Sequence, residues 1–523
     1  MRLLLLGAGA LCLASGFAWE AAWPLAWLAF VPLIHFAVCA ESVRSAARLG
    51  WVFGFVAEFP AFIWLIRTIH VFGGFPLFLA VLFYLILTAY GATQFALFAA
   101  AVRWVDARRP ALRTSLLGLL VAPVLWTAIE FLYPNLFPWR VGHSQRGLPV
   151  LMQIGDATGP YGLSFVIVFF AAGIAALRTR PRAIVAPLAA VALVVAYGVV
   201  RDRQVAELLA ATPSVSVGIV QGNLTLEEKR HEERFDANVD RYRRLSDSIS
   251  PPPDVLVWPE TVVEWGIPHD RLEDLDRLDP LPGSTTPLVF GAVSYRKIRP
   301  EEPFRRGNVE WFNSAFLRSS EGRLAARYDK IILLPFGEFI PFASIFPWLK
   351  DLSPNTGDFG AGTGPVVLDV SPQLRVGPLV CYEDLLGSLV RDTVRSGATM
   401  LLTIANLAWF GDGLALWQHE SLALWRAVEN RRYLVIATNT GLSSVIDPTG
   451  RVVTSLPVAQ AIAAAVPVHP LRIESLYGLW GDAFGWFVVA LAGGLLLWSS
   501  QSRDVQDCKR LQPRGPCGEA RSG

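Results

Sequence analysis

The stretch GPLVCYEDLL, residues 377–386, joins an apolar run to chemically reactive side chains. Its apolar residues lead directly to Cys381, and a tyrosine and two acids follow. Continuous Val/Leu/Ile runs are typical of strands that are buried on both faces of a layered α/β fold. Ligand sites in such folds gather where strands end. The stretch therefore predicts a layered α/β domain with Cys381 at a candidate site.

The composition of the whole chain points to a membrane protein. Of its 523 residues, 53% are hydrophobic and only 17% are charged, which lies on the apolar side of a usual soluble protein. The net charge of +2 gives no reason to expect nucleic acid as a partner. The five cysteines have no CxxC spacing, so we expect no metal site.

Apolar runs of spanning length recur through the first 200 residues, and another lies near the C-terminus. A helix needs about 20 apolar residues to cross a bilayer core. We therefore predict a membrane α-helical bundle of about eight transmembrane helices, since so many runs in series disfavour buried helices of one soluble protein. The runs lie at residues 3–18, 22–40, 51–66, 76–102, 116–132, 161–177, 183–200 and 483–498.

The charges between these runs predict the orientation of the chain. Arginines are concentrated in alternate loops and in the C-terminal tail, so the positive-inside rule places both termini in the cytoplasm. The first run also resembles a cleaved signal peptide, but we favour its retention as a span. The expected organisation is transmembrane helices 1–7 over residues 1–200, a large polar domain on the outer side of the membrane over 201–481, helix 8 over 482–500 and a cytoplasmic polar tail over 501–523.

The polar segment 201–481 alternates β-rich runs with helical ones. Buried strands are predicted at SVSVGIVQG, DVLVWPE, PLVFGAVSY, WFNSAFLRS, VVLDV, LRVGPLVC, TMLLTIAN, YLVIATNTG and SSVIDPTGRVV. Helices are predicted at LEEKRHEERFDANVDRYRRLSDSI, DLLGSLVRDTVRSG and WQHESLALWRAVENRR. This alternation is typical of a layered α/β fold.

Reactive side chains follow three of these apolar or β-rich segments. VLVWPET ends in Glu260, RYDKIILLPFGEF supplies Lys330 and Glu338, and GPLVCYED supplies Cys381. Each of them taken alone is more often a surface acid, a solvated lysine or a packed thiol. Their combination favours a catalytic site over these simpler readings.

Several motifs carry a resemblance to known proteins. WPET, YDKIILLPFGEFIPF, VCYED, TIANLAWFGD and ATNTGLSSVIDPTG resemble the nitrilase superfamily (carbon–nitrogen hydrolases), with its Glu–Lys–Cys triad in that chain order. The membrane half and the PFGEFIPF segment make the chain similar to the apolipoprotein N-acyltransferase family. The resemblance implies an α/β nitrilase-like αββα sandwich beside the helical bundle.

The resemblance also implies a role for each member of the triad. Cys381 would be the nucleophile, and its thiol needs activation because a free thiol is mostly protonated at neutral pH. Glu260 would be the general base. Lys330 would stabilise the tetrahedral oxyanion together with the backbone N–H of Tyr382, and Glu338 would support the Lys–Glu arrangement.

Further residues match family positions near the site. Tyr382 and Glu383 flank the nucleophile, although Glu383 could instead be a helix N-terminal acid that the helix dipole favours. The apolar stretch FGEFIPFASIFPWLKDL is expected to guide acyl chains, or else to be a buried loop. We predict that the substrate-binding residues are Asn313, Phe342, Phe346, Asn406, Trp409 and Phe410, with packing as the alternative for the last two.

The implied reaction is acyl transfer in two half-steps without a cofactor. Cys381 takes an acyl group from a phospholipid, with phosphatidylethanolamine as the family norm, and forms a thioester. The acceptor is the N-terminal amine of the diacylglyceryl-cysteine of an apolipoprotein. We expect a monomer embedded in the inner membrane.

Two other functions fit parts of the sequence. A membrane-tethered nitrilase-type amidase would use the same triad on a small amide, but a tether needs only one helix. A transporter with an outer sensory domain would place ionisable residues within its spans, and few are present there.

Overall fold

The computed structural model describes residues 1–269, 279–302, 304–305, 308–335, 337–340, 345–346, 348, 357–411 and 413–501. These residues form two compact units, which are described separately. The first contains Met1–Ile63, Leu82–Val200 and the chain from Asp482. The second contains Trp64–Val81 and Arg201–Gly481.

Each predicted span contains a helix, and most of these helices lie in the first unit. The helices up to residue 211, with the last helix of the chain, are α1 (Arg2–Ala18), α2 (Trp23–Val38), α3 (Val43–Ala61), α4 (Leu65–Val71), α5 (Leu77–Arg108), α6 (Leu117–Leu132), α7 (Pro149–Met152), α8 (Gly155–Thr158), α9 (Pro160–Ala176), α10 (Val185–Ala211) and α16 (Ala483–Ser500). Aromatic side chains pack between several of them, with the rings of Phe30 and Trp126 4.6 Å apart. The helix predicted to end at residue 200 continues to Ala211.

Four of the described helical segments are long and apolar enough to cross a membrane: Glu20–Val38, Leu77–Arg108, Val185–Ala211 and Ala483–Ser500. Two bent pairs raise that number to six if each pair is one span. In one of them, α3 and α4 meet at 60° just after Pro60, which lies inside α3 and cannot complete the helical hydrogen-bond pattern. The predicted total of about eight adds the shorter apolar helices α1 and α6.

Two β-sheets form the centre of the second unit. The first sheet contains β1 (Val215–Gln221), β2 (Val255–Val257), β3 (Val263–Pro268), β4 (Leu288–Lys297), β5 (Val309–Arg318), β6 (Leu324–Asp329) and β13 (Ile462–Val468), in the order β13-β1-β2-β4-β5-β6 with β3 beside β4. The second sheet contains β7 (Leu368–Asp369), β8 (Arg375–Val380), β9 (Met400–Ala405), β10 (Tyr433–Thr438), β11 (Ser444–Ile446) and β12 (Val452–Ser455), in the order β12-β11-β10-β9-β8-β7.

The two sheets pack face to face over one apolar core. Val257 and Val289 of the first sheet and Val380 and Ile404 of the second belong to the same fully buried cluster. Helices α11 (Leu226–Arg230), α12 (Phe235–Asp247), α13 (Gly387–Arg395), α14 (Leu414–Asn430) and α15 (Leu476–Trp480) complete the unit. Since α12 packs Tyr242 on the first sheet and α13 and α14 accompany the second, the predicted αββα sandwich is confirmed.

Several details differ from the sequence-based prediction, among them the run SSVIDPTGRVV, which forms two antiparallel strands, β11 and β12, rather than one. The charged helix is interrupted at His231, which allows Lys229 to donate to Thr261 at 2.8 Å while α12 turns its buried face to the sheet. The run VVLDV contributes only the two residues of β7. Strands β3, β6 and β13 were not predicted, because their short or Ala-rich sequences lack a strong β pattern.

Candidate active site

Three strand ends converge in the second unit. Glu260 follows β2, Lys330 follows β6 directly, and Cys381 follows β8 directly. The turn that carries Glu260 lies against Gly291 of β4, whose N–H donates to the carbonyl of Pro259 at 3.0 Å. A Cβ at Gly291 would come within 2.6 Å of the Glu260 Cα, so this close approach requires glycine.

Two hydrogen bonds hold the carboxylate of Glu260. Its Oε1 accepts from Asn313 Nδ2 at 2.7 Å, and its Oε2 accepts from the backbone N–H of Asn406 at 2.7 Å. Asn313 lies on β5 and Asn406 follows β9, so each sheet contributes one donor. The arrangement leaves Glu260 buried and oriented by both halves of the sandwich.

Asn313 also connects Glu260 to the lysine. Its side-chain Nδ2 donates to Glu338 Oε1 at 2.9 Å, and its backbone carbonyl accepts from the backbone N–H of Lys330 at 2.9 Å. The other oxygen of Glu338 lies 2.7 Å from Lys330 Nζ and accepts from the Leu334 N–H at 2.9 Å. Lys330 is 1% exposed, so its ammonium is held by an ion pair rather than by water.

The charges of this group shift one another's pKa values. Burial raises the pKa of Glu260, while Lys330 opposes that rise and Glu338 adds to it. Burial alone would lower the pKa of Lys330, but Glu338, Cys381 and Glu260 outweigh it, and the pKa is raised. Lys330 therefore stays a cation, which is the state that stabilises a developing negative charge.

Cys381 begins a short 3₁₀ helix, Cys381–Leu385, and has φ +55°. A positive φ is strained for a residue with a side chain, and it marks a sharp turn directly after β8. Burial raises the pKa of the thiol well above its ordinary value, the charge of Glu260 raises it further, and Lys330 lowers it. These surroundings favour the protonated form of the thiol, and a thiol in that form could act as a nucleophile only with a base to take its proton.

Glu383 connects the nucleophile turn to the lysine turn. Its side chain is 0% exposed and accepts from four donors: Tyr328 OH at 2.8 Å, Ile331 N at 2.7 Å, Ile332 N at 3.0 Å and Val380 N at 2.8 Å. The position of Glu383 in the 3₁₀ helix fits the alternative of a helix N-terminal acid. That alternative does not account for its hydrogen bonds with Tyr328, Ile331 and Ile332, which lie in or shortly after β6.

A buried histidine–carboxylate pair beside the nucleophile was not predicted. His419 Nε2 of α14 lies 2.9 Å from Asp384 Oδ2, and Asp384 is 0% exposed. Burial would lower the pKa of His419, but Asp384 outweighs it, and the pKa is raised. Both residues stood in quoted motifs, and their separation of 35 positions hid the contact from sequence patterns.

The remaining predicted residues have different surroundings. Tyr382 follows Cys381 in the 3₁₀ helix and is half-buried. Trp409 and Phe410 lie in the short helix Leu407–Phe410 directly after Asn406, and Phe410 and Cys381 pack against one apolar cluster. Phe342 lies outside the described residues, and Phe346 is 50% exposed.

This arrangement supplies the parts of covalent acyl transfer. It contains a thiol, a buried carboxylate and a fixed cation, which are the chemical types that can act as a nucleophile, a base and an oxyanion stabiliser. Within the part of the chain that the structure describes, no group of three or more His, Cys, Asp or Glu residues could hold a metal ion.

Two family models match parts of this chain, and a solved structure aligns with about half of it. Residues 8–173 match the family model of the apolipoprotein N-acyltransferase N-terminal domain, and residues 216–467 match that of carbon–nitrogen hydrolases. A solved carbon–nitrogen-hydrolase superfamily protein of Xanthomonas campestris aligns with a TM-score of 0.34 at 17% identity, covering 56% of this chain and 97% of its own.

Curated relatives cover nearly the whole chain. An apolipoprotein N-acyltransferase of Geobacter metallireducens is 35% identical, covering 89% of each chain. One of Azotobacter vinelandii is 30% identical over 99% of this chain and 98% of its own. The membrane-length helices and these relatives make the protein a multi-pass membrane protein, and the chain belongs to the apolipoprotein N-acyltransferase family.

Proposed function

We propose that this chain transfers a fatty acyl group from a phospholipid to the N-terminal amine of a diacylated apolipoprotein through a thioester on Cys381. One observation carries the proposal: a half-buried thiol at a strand end lies within the electrostatic influence of both Glu260 and Lys330. The same chain carries several helices of membrane length, and these suit a donor that is itself a lipid.

The first half-step forms the acyl-enzyme. Glu260 takes the thiol proton as the Cys381 sulfur attacks the ester carbonyl, and the resulting oxyanion is stabilised by Lys330 and by the Tyr382 N–H. When the tetrahedral intermediate collapses, the C–O bond breaks. Glu260 returns the proton to the leaving oxygen, so a lysophospholipid departs and a thioester remains.

The second half-step transfers the acyl group. The neutral α-amine of the diacylglyceryl-cysteine attacks the thioester carbonyl, and Glu260 accepts the proton that the nitrogen loses. The C–S bond breaks, the thiolate leaves, and Glu260 returns the proton to the sulfur of Cys381. An ester and an amine are thus converted to an amide and an alcohol, and the enzyme is regenerated.

Exposed apolar side chains support a lipid as the donor. Ile345, Phe346 and Trp348 are 66%, 50% and 57% exposed, which is unusual for large apolar residues in a water-facing loop. We assign this segment, together with Phe342, to contact with acyl chains. Replacing Phe342 and Phe346 with serine is expected to slow acylation by phospholipid, and unchanged turnover would contradict the assignment.

The loop charges support a location in the bacterial inner membrane. We propose a catalytic domain over residues 201–481 in the periplasm, transmembrane helices over 1–200 and 482–500, and a cytoplasmic tail over 501–523. The donor would then be drawn from the outer leaflet by a monomeric enzyme, with phosphatidylethanolamine as the preferred lipid.

Intact-mass analysis of the membrane-extracted protein tests the function. Incubation with acyl-labelled phosphatidylethanolamine, without acceptor, should add one acyl mass that hydroxylamine removes. Cys381→Ala should abolish this adduct, whereas Cys39→Ala, the matched control, should retain it. When a diacylated lipopeptide is then added, the acyl label should leave Cys381 and appear on the lipopeptide as an amide.

Two outcomes would contradict the proposal. Labelling of the Cys381→Ala variant would rule out a thioester on Cys381 as the intermediate. A wild-type protein that hydrolyses small amides through Cys381 but takes no acyl group from phospholipid would instead favour the amidase.

A further inference from the structure

A segment from between two apolar helices is part of the catalytic unit. Residues Trp64–Val81 connect α3 to the body of α5, yet they form one compact unit with Arg201–Gly481. The segment contains α4 and the first residues of α5. The chemistry of the triad does not require this segment, so its contacts within the catalytic unit need a separate explanation.

The segment contacts the loop that follows β9. The ring of Trp64 meets that of Phe410 edge to face, with centroids 5.2 Å apart. The ring of Phe72 lies 4.5 Å from that of Trp409. The guanidinium of Arg67 lies so close to Gly411 that a Cβ there would be 2.6 Å from it.

This loop starts at the residue that holds the proposed base. Asn406, whose N–H donates to Glu260 Oε2 at 2.7 Å, is the N-cap of the helix Leu407–Phe410. Trp409 and Phe410 are therefore three and four residues from this hydrogen bond, within a single helical turn. A shift of that turn would move the Asn406 N–H relative to Glu260.

Trp64 also reaches the helix beside the nucleophile. Its indole Nε1 donates to Gln418 Oε1 at 2.8 Å. The next residue on α14 is His419, which contacts Asp384 in the 3₁₀ helix that begins with Cys381. One tryptophan thus joins the element that supports Glu260 to the element that supports Cys381.

We propose that Trp64 and Phe72 are positioning residues of the acyl-transfer site, which fix the loop 406–411 so that its Asn406 N–H holds Glu260 in line with Cys381. The inference rests on the proposed function, because it concerns how fast the thioester forms. It assigns a task in catalysis to a segment outside the carbon–nitrogen hydrolase match at residues 216–467.

A purely structural role is the competing explanation, and the two differ in kinetics. Aromatic packing that only stabilises the fold would change the amount of folded enzyme but not the rate constant of each folded molecule. Packing that only binds lipid would change the half-saturating lipid concentration. A positioning role lowers the acylation rate constant at saturating lipid, since small displacements of a catalytic group are costly.

Single-turnover acylation by labelled phosphatidylethanolamine vesicles tests the proposal on the full chain. Trp64→Ala should lower the saturating rate constant about tenfold or more, with a half-saturating lipid concentration within about threefold of wild type. Trp64→Phe keeps an aromatic ring opposite Phe410 and should recover most of the rate. Val71→Ala, at an exposed position of the same helix, is the matched control and should behave as wild type.

The possible outcomes distinguish a failure of the proposed function from a failure of the positioning role. Wild-type protein that takes no acyl group contradicts the proposed function itself. Wild-type acylation with a Trp64→Ala rate constant within about twofold of it overturns only the positioning role. If Trp64→Ala does not fold, Phe72→Ala decides: a rate constant per folded molecule within about twofold of wild type overturns the proposal.

Discussion

Asn313 lies at the centre of the polar network that includes Glu260 and Glu338, and replacing it with alanine tests that network. The substitution removes the amide that donates to Glu260 at 2.7 Å and to Glu338 at 2.9 Å. Both acceptors are carboxylates, and a hydrogen bond to a charged group contributes about 1.5–3 kcal/mol. Since the bond favours the charged form of Glu260, and so lowers its pKa, its loss raises that pKa.

The direction of the effect on rate follows from the sign of that change. A protonated Glu260 cannot take the thiol proton, so the rate of acylation falls on the acid side of the pH profile. At about 1.4 kcal/mol per pH unit, the acid limb should move toward higher pH by about one to two units. Below the limb the rate should fall about ten- to one-hundredfold, with recovery at higher pH.

Single-turnover acylation of Cys381, followed between acid and alkaline pH, measures this limb. Asn308→Ala is a matched control, because Asn308 is also a buried asparagine and its described side-chain hydrogen bonds go to the backbone of Arg299. The reasoning fails if the Asn313→Ala profile coincides with that of wild type, or if the acid limb moves to lower pH.

Three further substitutions probe other parts of the site. Glu383→Gln cannot accept all four bonds to Glu383 and should cost about 2–4 kcal/mol, seen as a lower melting temperature than that of the exposed control Glu321→Gln. His419→Ala leaves Asp384 buried without the partner shown at 2.9 Å and should destabilise the protein by about 3–5 kcal/mol; an unchanged melting curve would contradict this. Lys330→Met removes the cation held by Glu338 and should slow acylation about 10²–10³-fold, whereas near-normal acylation would place oxyanion stabilisation elsewhere.

Local patterns predicted the parts of this protein that depend on neighbouring residues. The strands that carry Glu260 and Cys381 were visible because each buried strand is a short continuous apolar run. The length of the apolar runs likewise revealed the membrane helices, because a helix needs about 20 apolar residues to cross the bilayer core.

Contacts between distant residues could not be predicted in this way. Nothing in the sequence near Asn313 indicates that its amide donates to two carboxylates, from positions 53 and 25 residues away. The pairing of His419 with Asp384 depends on the packing of α14 beside the nucleophile turn. Lys330 was named from its motif, while β6, which delivers it, has too weak a β pattern to be predicted.

The sequence by itself determined the chemical types that are present and the places where strands end, because hydrophobic periodicity and motif spacing are local properties. Only the tertiary structure decided which donors hold Glu260, which acid pairs with Lys330, and that Trp64–Val81 packs with the catalytic unit. The physical reason is that hydrogen bonds and ion pairs depend on distances of a few ångströms between side chains, and chain folding sets those distances across hundreds of residues.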